Sequence, residues 1–337
     1  MTARQRSVAF LVLVLLVLGA GTAYALGDLH RSREQLSRPP TVPSRESAIA
    51  PGGPYLAFRH TGLDSEYGVV ALVPLADPAG PRTFTGADCD RVDATRDHAS
   101  CLVSERGVVT DFEARTLGAD WQVEGTAPLP GLPSRTRLSP DGSLVATTSF
   151  VAGHSYLSDG FSTATVIREL GGRSYGNLEK FALEVDGSAT VPRDRNVWGV
   201  TFLDDTTFYA TVATGGTTYL ARGDLEARTL STVATGVECP SLSPDGTRVA
   251  FKQAGRPGGR PGWTPAVLDL ATGARLVLDG ESRNVDDQLE WLDEDTLLYG
   301  LPRDDEAGVT DVWSLGVAAG AEPVLLVEQA WSPAVVR

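Results

Sequence analysis

The chain is poor in several residue types, and each shortage removes a class of function. Of its 337 residues only two are lysine, Lys180 and Lys252. Lys plus Arg total 29 against 43 Asp plus Glu, a formal net charge of −14. Non-specific nucleic-acid binding needs a basic footprint, which this balance lacks. Three cysteines are too few for a disulfide-stapled miniprotein or for most structural zinc sites. The four histidines (His30, His60, His98 and His154) fall in separate segments, without the i, i+4 spacing of a helical metal site. No long amphipathic helical pattern follows residue 26. What the chain does have is turn formers, 36 Gly and 21 Pro, with 42% hydrophobic and 21% charged residues. That composition is globular and turn-dense.

The N-terminus reads as an export segment. Arg4 and Arg6 precede an unbroken apolar run from Val8 to Leu18, and no charge follows until Asp28. Two outcomes stay open. Ala23-Tyr24-Ala25 fits the small-x-small pattern of signal-peptide cleavage. Alternatively the 21 uncharged residues from Ser7 to Gly27 are long enough to span a bilayer as an uncleaved anchor, with Arg4 and Arg6 inside. Either outcome places the remainder outside the cytoplasm. Residues 28–46, polar and containing Pro39, Pro40 and Pro43, read as a tether.

Residues 47–337 read as a repeat. Leu138-Ser-Pro-Asp-Gly-Ser-Leu-Val-Ala146 and Leu242-Ser-Pro-Asp-Gly-Thr-Arg-Val-Ala250 share a turn, Ser139-Pro140-Asp141-Gly142 in one and Ser243-Pro244-Asp245-Gly246 in the other. Asp-Gly between apolar alternations signals a hairpin, because Gly tolerates the positive φ of a tight turn. Weaker copies begin at Ala50, Thr95, Leu203 and Leu292, and the residue before every start is apolar. After each hairpin comes a strand, a Gly-containing turn and another strand, most clearly at 267–278; in the third repeat this stretch is 165–185. About four strands per ~45 residues matches a propeller blade, and six starts imply six blades. Ala330-Trp-Ser-Pro333 reads as a seventh strand start with no blade after it. The expected use is ring closure, one terminus completing a blade begun by the other. The expected fold is therefore an all-β six-bladed propeller of four-stranded antiparallel blades, preceded by one hydrophobic helix.

The recurring Leu-Ser-Pro-Asp-Gly-x-x-Val-Ala pattern resembles the repeats of the TolB-like propeller family, over roughly residues 47–336. The best-known members of that family are periplasmic. They belong to a trans-envelope translocation complex and bind a peptidoglycan-associated lipoprotein through the propeller. They also carry an α/β domain ahead of the propeller, where this chain has only the tether. The resemblance implies a bacterial envelope protein whose partner is another envelope protein or a cell-wall component, with no cofactor.

Catalytic patterns are sparse. Gly153-His-Ser-Tyr-Leu157 departs from the Gly-x-Ser-x-Gly nucleophile elbow at its last position, and no hydrolase domain is expected after the sixth blade. Asp286-Asp287 and Asp304-Asp305-Glu306 offer oxygen ligands for a cation but read more simply as solvated turns. Several Asp and Glu, including Asp287 and Glu290 near the last blade's inner strand, are candidates to line a central channel, though the sequence alone does not place them; paired carboxylates there would suit a lyase, glycosidase or lactonase-like enzyme. Trp198, Trp291 and Trp331 fall near inner-strand positions and are expected in the core, since burying one removes ~150–250 Å² from water. Cys89 and Cys101 flank the second hairpin and form a candidate disulfide. The repeat template sets Cys101 nearer Asp93 than Cys89, so the spacing is not assured. Cys239 is expected as a buried free thiol. Loops 153–162 and 256–265 are candidate contact surfaces. The expected function is a non-enzymatic binding or scaffolding module of the envelope; the alternative is an enzyme using the channel carboxylates.

Overall fold

The computed structural model describes residues 3–45, 52–107, 109–151 and 162–337. Six sheets form a six-bladed propeller. The inner strands of blades 2 to 6 are Arg91–Ala94, Leu132–Leu138, Asn196–Phe202, Glu238–Leu242 and Glu290–Asp293. Blade 1 takes its inner strand from the far end of the chain. Ala330–Val336 pairs antiparallel with Tyr55–His60, with Tyr55 opposite Val336 and His60 opposite Ala330. This is the expected closure. It also shows why the first copy, at Ala50, is weak: blade 1 has no inner hairpin of its own.

The repeated turn recurs in atomic detail. Ser139 Oγ donates to Asp141 Oδ1 (2.5 Å) and accepts from Leu144 N (2.9 Å), while Ser143 N donates to Asp141 Oδ1. Ser243 Oγ donates to Asp245 Oδ1 (2.6 Å) and accepts from Arg248 N (3.0 Å), with Thr247 N on Asp245 Oδ1. Gly142 and Gly246 both have φ 73°, which a side chain would oppose. The weaker copy at Leu203 uses Asp204 Oδ1 to accept from Thr206 N and Thr207 N. Asp245 is held at a pKa of about 2 by the Ser243 hydroxyl and by Thr247.

The second strand of each blade buries its apolar residues on both faces, as in Tyr55–His60 and Thr296–Pro302. Large side chains there fill the wedges between blades: Phe58, Phe208, Phe251 and Tyr299 are fully buried. Apolar clusters join blades 1 and 2, 3 and 4, 4 and 5, 5 and 6, and 6 and 1. Between blades 2 and 3 the bridging contacts are polar instead. Ser100 and Thr136 share a 2.6 Å hydroxyl bond, and Leu138 N donates to Asp93 Oδ2 at 2.6 Å.

Two blades carry additions. The expectation that 165–185 supplies the outer half of blade 3 needs correction. The outer strand there is Ser174–Asn177, and Ala182–Val185 crosses to blade 4, pairing parallel with Thr229–Thr235 and antiparallel with Ser188–Thr190. The cause is packing: Phe181 and Leu183 bury in the cluster of blade 4 with Phe208 and Leu230. The 64-residue spacing thus reflects this hairpin as well as the loop at 153–162. On blade 1, Ser44–Arg45 pairs parallel with Arg82–Asp88.

At the N-terminus a helix runs from Ala3 to Gln35, so it continues through the first eight residues read as tether. Among the described residues no helix is long and apolar enough to cross a membrane.

Candidate functional site: the central channel and its mouth

The inner strands converge on the propeller axis, and several break their ladders there. Register shifts fall between Trp198 and Thr201 and between Glu238 and Ser241. Gly199 (φ 65°) and Cys239 (φ 49°) adopt left-handed backbone at these bulges, as does Ser332 (φ 54°) at the register shift of the closing strand. Gly199 is required: a Cβ there would sit 2.7 Å from the Cys239 Cα of the next blade.

The axis is filled by charge pairs from blades 2, 3 and 6. The mouth-facing layer is Arg137 between two carboxylates. It bonds Glu290 directly, and its Nη1 lies 3.7 Å from Asp93 Oδ1. The deeper layer reverses the stoichiometry. Asp287 sits between Arg91 Nη1 (3.1 Å) and Arg135 Nη2 (3.9 Å), and also accepts from Gly300 N. Gln288 reaches the inner strands of blades 4 and 5, donating to Val200 O (3.3 Å) and Pro240 O (3.1 Å). Arg91 stacks over Trp331 at 4.8 Å. A pocket of about 20 Å³ lies among Arg91, Asp93, Arg135, Arg137 and Asp287. The channel is a polar plug.

Burial sets the electrostatics. It raises the Asp93 carboxyl, which Arg137 partly offsets. Burial and then the neighbouring Arg135 lower Arg91 to about 10. For Arg137 burial acts downward, but Glu290 and Asp93 outweigh it and hold the guanidinium protonated. Burial also acts downward on Arg135, where Cys239 and Asp287 outweigh it.

Asp287 and Glu290, two of the candidate channel carboxylates, thus lie at the axis, but each is committed to arginine. Sequence reasoning missed the three arginines. The available signal was alternation: Arg91 and Asp93, and Arg135 and Arg137, are i, i+2 pairs just ahead of hairpin turns, so each pair shares one strand face.

Above the plug the mouth opens into a cavity of about 710 Å³. Its walls are the inner hairpin turns, including residues 95–97, 139–141 and 243–246, with Arg337 at the rim. The repeat turns therefore have two roles: they fix blade geometry and they form the mouth.

The other candidates disperse. Cys89 and Cys101 are bonded, with Cα atoms 5.3 Å apart. Cys101 pairs with Val92 in the ladder, and the segment before the strand carries Cys89 back to it. Cys239 is buried and free. Trp198 and Trp291 are buried, and the Trp291 indole donates to Ser241 O (2.8 Å). Asp286 pairs with Lys252, Glu306 with Arg303, and Asp304 and Asp305 are exposed. Among the described residues no group of three or more His, Cys, Asp or Glu is placed to hold a metal ion. Residues 153–161 lie outside the described residues. In the other loop, Trp263 N bonds Asn284 Oδ1 (2.7 Å) and the ring stacks under Lys252. The sequence also holds one Gly-x-Ser-x-Gly match, Gly172-Arg-Ser-Tyr-Gly176. It is no nucleophile elbow: Ser174 opens the outer strand of blade 3, and its hydroxyl accepts from Gly176 N.

No protein-family profile matches the chain, and no curated protein sequence is recognisably similar to it. Solved structures do resemble it. A chain of a nidogen/laminin complex matches with a TM-score of 0.52 at 12% identity, covering 84% of this chain and 98% of that one. The β-propeller domain of a Pyrococcus furiosus protease matches with 0.41 at 10% identity, over 70% of each chain. An oligogalacturonate lyase complexed with manganese matches with 0.47 at 11% identity, over 75% and 73%. Likeness at such identities establishes the propeller fold and nothing about activity.

Proposed function

We propose that the protein is a non-catalytic binding module acting outside the cytoplasm, a TolB-like propeller of the bacterial cell envelope that receives its partner at the channel mouth. The observation that carries this reading is the plug. A general acid or base must reach its substrate and exchange a proton with it. Here Asp93, Asp287 and Glu290 are each tied to an arginine within the plug. What stays open is the 710 Å³ mouth, walled by rigid turns on rigid strands. Its exposed residues Arg96, Asp97, Pro140 and Pro244 are suited to contact rather than chemistry. The extracytoplasmic placement rests on the basic-then-apolar N-terminus and agrees with the Cys89–Cys101 disulfide, a bond that persists in oxidising compartments.

The test is a crosslinked pull-down from native envelopes, comparing the wild type with a Pro140→Arg/Pro244→Arg variant. Retention of one stoichiometric envelope protein by the wild type and its loss in the variant supports the reading. Equal capture by both proteins removes the mouth from it. Turnover of a pectic or other polysaccharide by the purified protein, abolished by Glu290→Gln, overturns it in favour of the enzyme.

A further inference from the structure

His60 lies at the end of the strand that receives the closing strand, and it is fully buried. Both ring nitrogens are used. Nδ1 faces Arg82 Nη1 at 2.7 Å, and Nε2 faces Asp64 Oδ2 at 3.0 Å. A guanidinium can only donate, so Nδ1 must be the acceptor and carry no proton. The ring is therefore neutral, with its one proton on Nε2 directed at the Asp64 carboxylate.

Arg82 carries this arrangement to the seam. The same guanidinium donates to Gln329 O (3.2 Å) and to Glu328 O, the two residues leading into the closing strand. Thr61 N donates to Gln329 O (3.0 Å), and the Thr61 hydroxyl bonds Thr310 of blade 6. Asp311, itself held by Arg303, accepts from Gln329 N (2.8 Å). Gln329 has φ 49°, backbone that an L side chain adopts at a cost unless its surroundings hold it. One network thus fastens the start of the last strand to blades 1 and 6.

We propose that His60, Arg82 and Asp64 form a proton-sensitive clasp on the ring closure, which loosens the closing strand Ala330–Val336 when His60 is protonated. A proton on Nδ1 removes the acceptor for Arg82 and sets two cations 2.7 Å apart, so Arg82 must leave the ring and release the carbonyls of Glu328 and Gln329.

The charged groups around the ring act in both directions. Burial, the largest effect, and the Arg82 charge lower the His60 pKa from its ordinary 6.5, while the Asp64 hydrogen bond and charge and a hydrogen bond to the Gln329 backbone raise it. The net direction is down. Glu328 and Asp311 face Arg82, and like Asp64 they hold it charged against its own burial. A lowered histidine pKa contributes stability above the ordinary value that is lost as pH falls through the folded-state value. With an open-state pKa of 6.5, opening becomes up to about 30-fold more frequent between pH 7.5 and 5.0 while the closed-state ring remains neutral.

Hydrogen exchange of the full-length protein at pH 7.5 and 5.0, corrected for intrinsic rates, tests this. Peptides covering residues 328–336 should gain in opening, by up to about 30-fold, while the blade 4 inner strand Asn196–Phe202, which carries no titratable side chain, changes less than twofold. In His60→Gln the pH response of 328–336 should vanish. Should that variant fail to fold, NMR titration of the His60 ring in the wild type decides alongside the exchange: it should titrate below the ordinary 6.5. Equal responses in the two strands, or a ring titrating near 6.5 with the closing strand unmoved, overturn the clasp.

Discussion

Replacing Arg137 with Met keeps most of the aliphatic stem but removes the guanidinium that serves two buried carboxylates. The side chains of Arg137, Glu290 and Asp93 are 15%, 11% and 10% exposed, so water replaces little of what is lost. Removing one partner of such a pair costs about 3–5 kcal/mol, because a buried charge is left uncompensated. The cost should depend on pH. The Asp93 pKa is already raised by burial, and Arg137 is the group that opposes the rise. A raised carboxyl pKa contributes stability at low pH that is lost as pH rises through the folded-state value. Deleting Arg137 raises it further, so Arg137→Met should be more damaging at pH 7.5 than at pH 5. Adding Glu290→Gln removes the better-bonded carboxylate and should recover at least about 1 kcal/mol of the loss, the coupling expected of groups in one network. Urea denaturation of the four proteins at both pH values provides the measurement. A single-mutant loss below about 1 kcal/mol at pH 7.5, with no coupling to Glu290, would mean that the plug is solvated and that its carboxylates are free for other work.

Other perturbations follow from the same geometry. Replacing Cys89 and Cys101 together by Ala opens a 12-residue loop and should cost about 3 kcal/mol on the chain-entropy account, read as a lower urea midpoint; reductant should then leave the variant unchanged. Gly300→Ala places a Cβ 2.2 Å from the Trp331 ring at the seam between blades 6 and 1, and should destabilise by about 1–3 kcal/mol in thermal melts, with Trp331→Leu relieving part of the loss. Ser243→Ala removes the hydroxyl that links Asp245 to Arg248 N, and should cost about 1 kcal/mol, read as a lower urea midpoint.

The parts legible in sequence were those encoded locally. The Ser-Pro-Asp-Gly turns announce themselves because a hydroxyl, a carboxylate and a glycine within four residues suffice to build them. Ala330-Trp-Ser-Pro333 was legible as a closing strand because it repeats the apolar lead of the other inner strands. The hairpin at 182–190 was not, since parallel pairing onto the outer edge of blade 4 leaves no periodicity of its own. The plug was half legible. Asp287 and Glu290 stood out as channel candidates from their position near the last inner strand, but their placement and their neutralisation depend on Arg91, Arg135 and Arg137 arriving from blades 2 and 3, some 150 residues away or more. The His60 clasp was illegible for the same reason: Arg82 and Gln329 meet only when the ring closes.

The account rests on the mouth being the binding surface, and site-specific photocrosslinking in native envelopes tests it most directly. A photoreactive residue at Pro140 or Pro244 should trap one envelope protein in high yield, while the same residue at Val324, exposed on the outer edge of blade 6, traps none. Trapping from Val324 with silence at both mouth positions would contradict the account and move the binding surface to the rim.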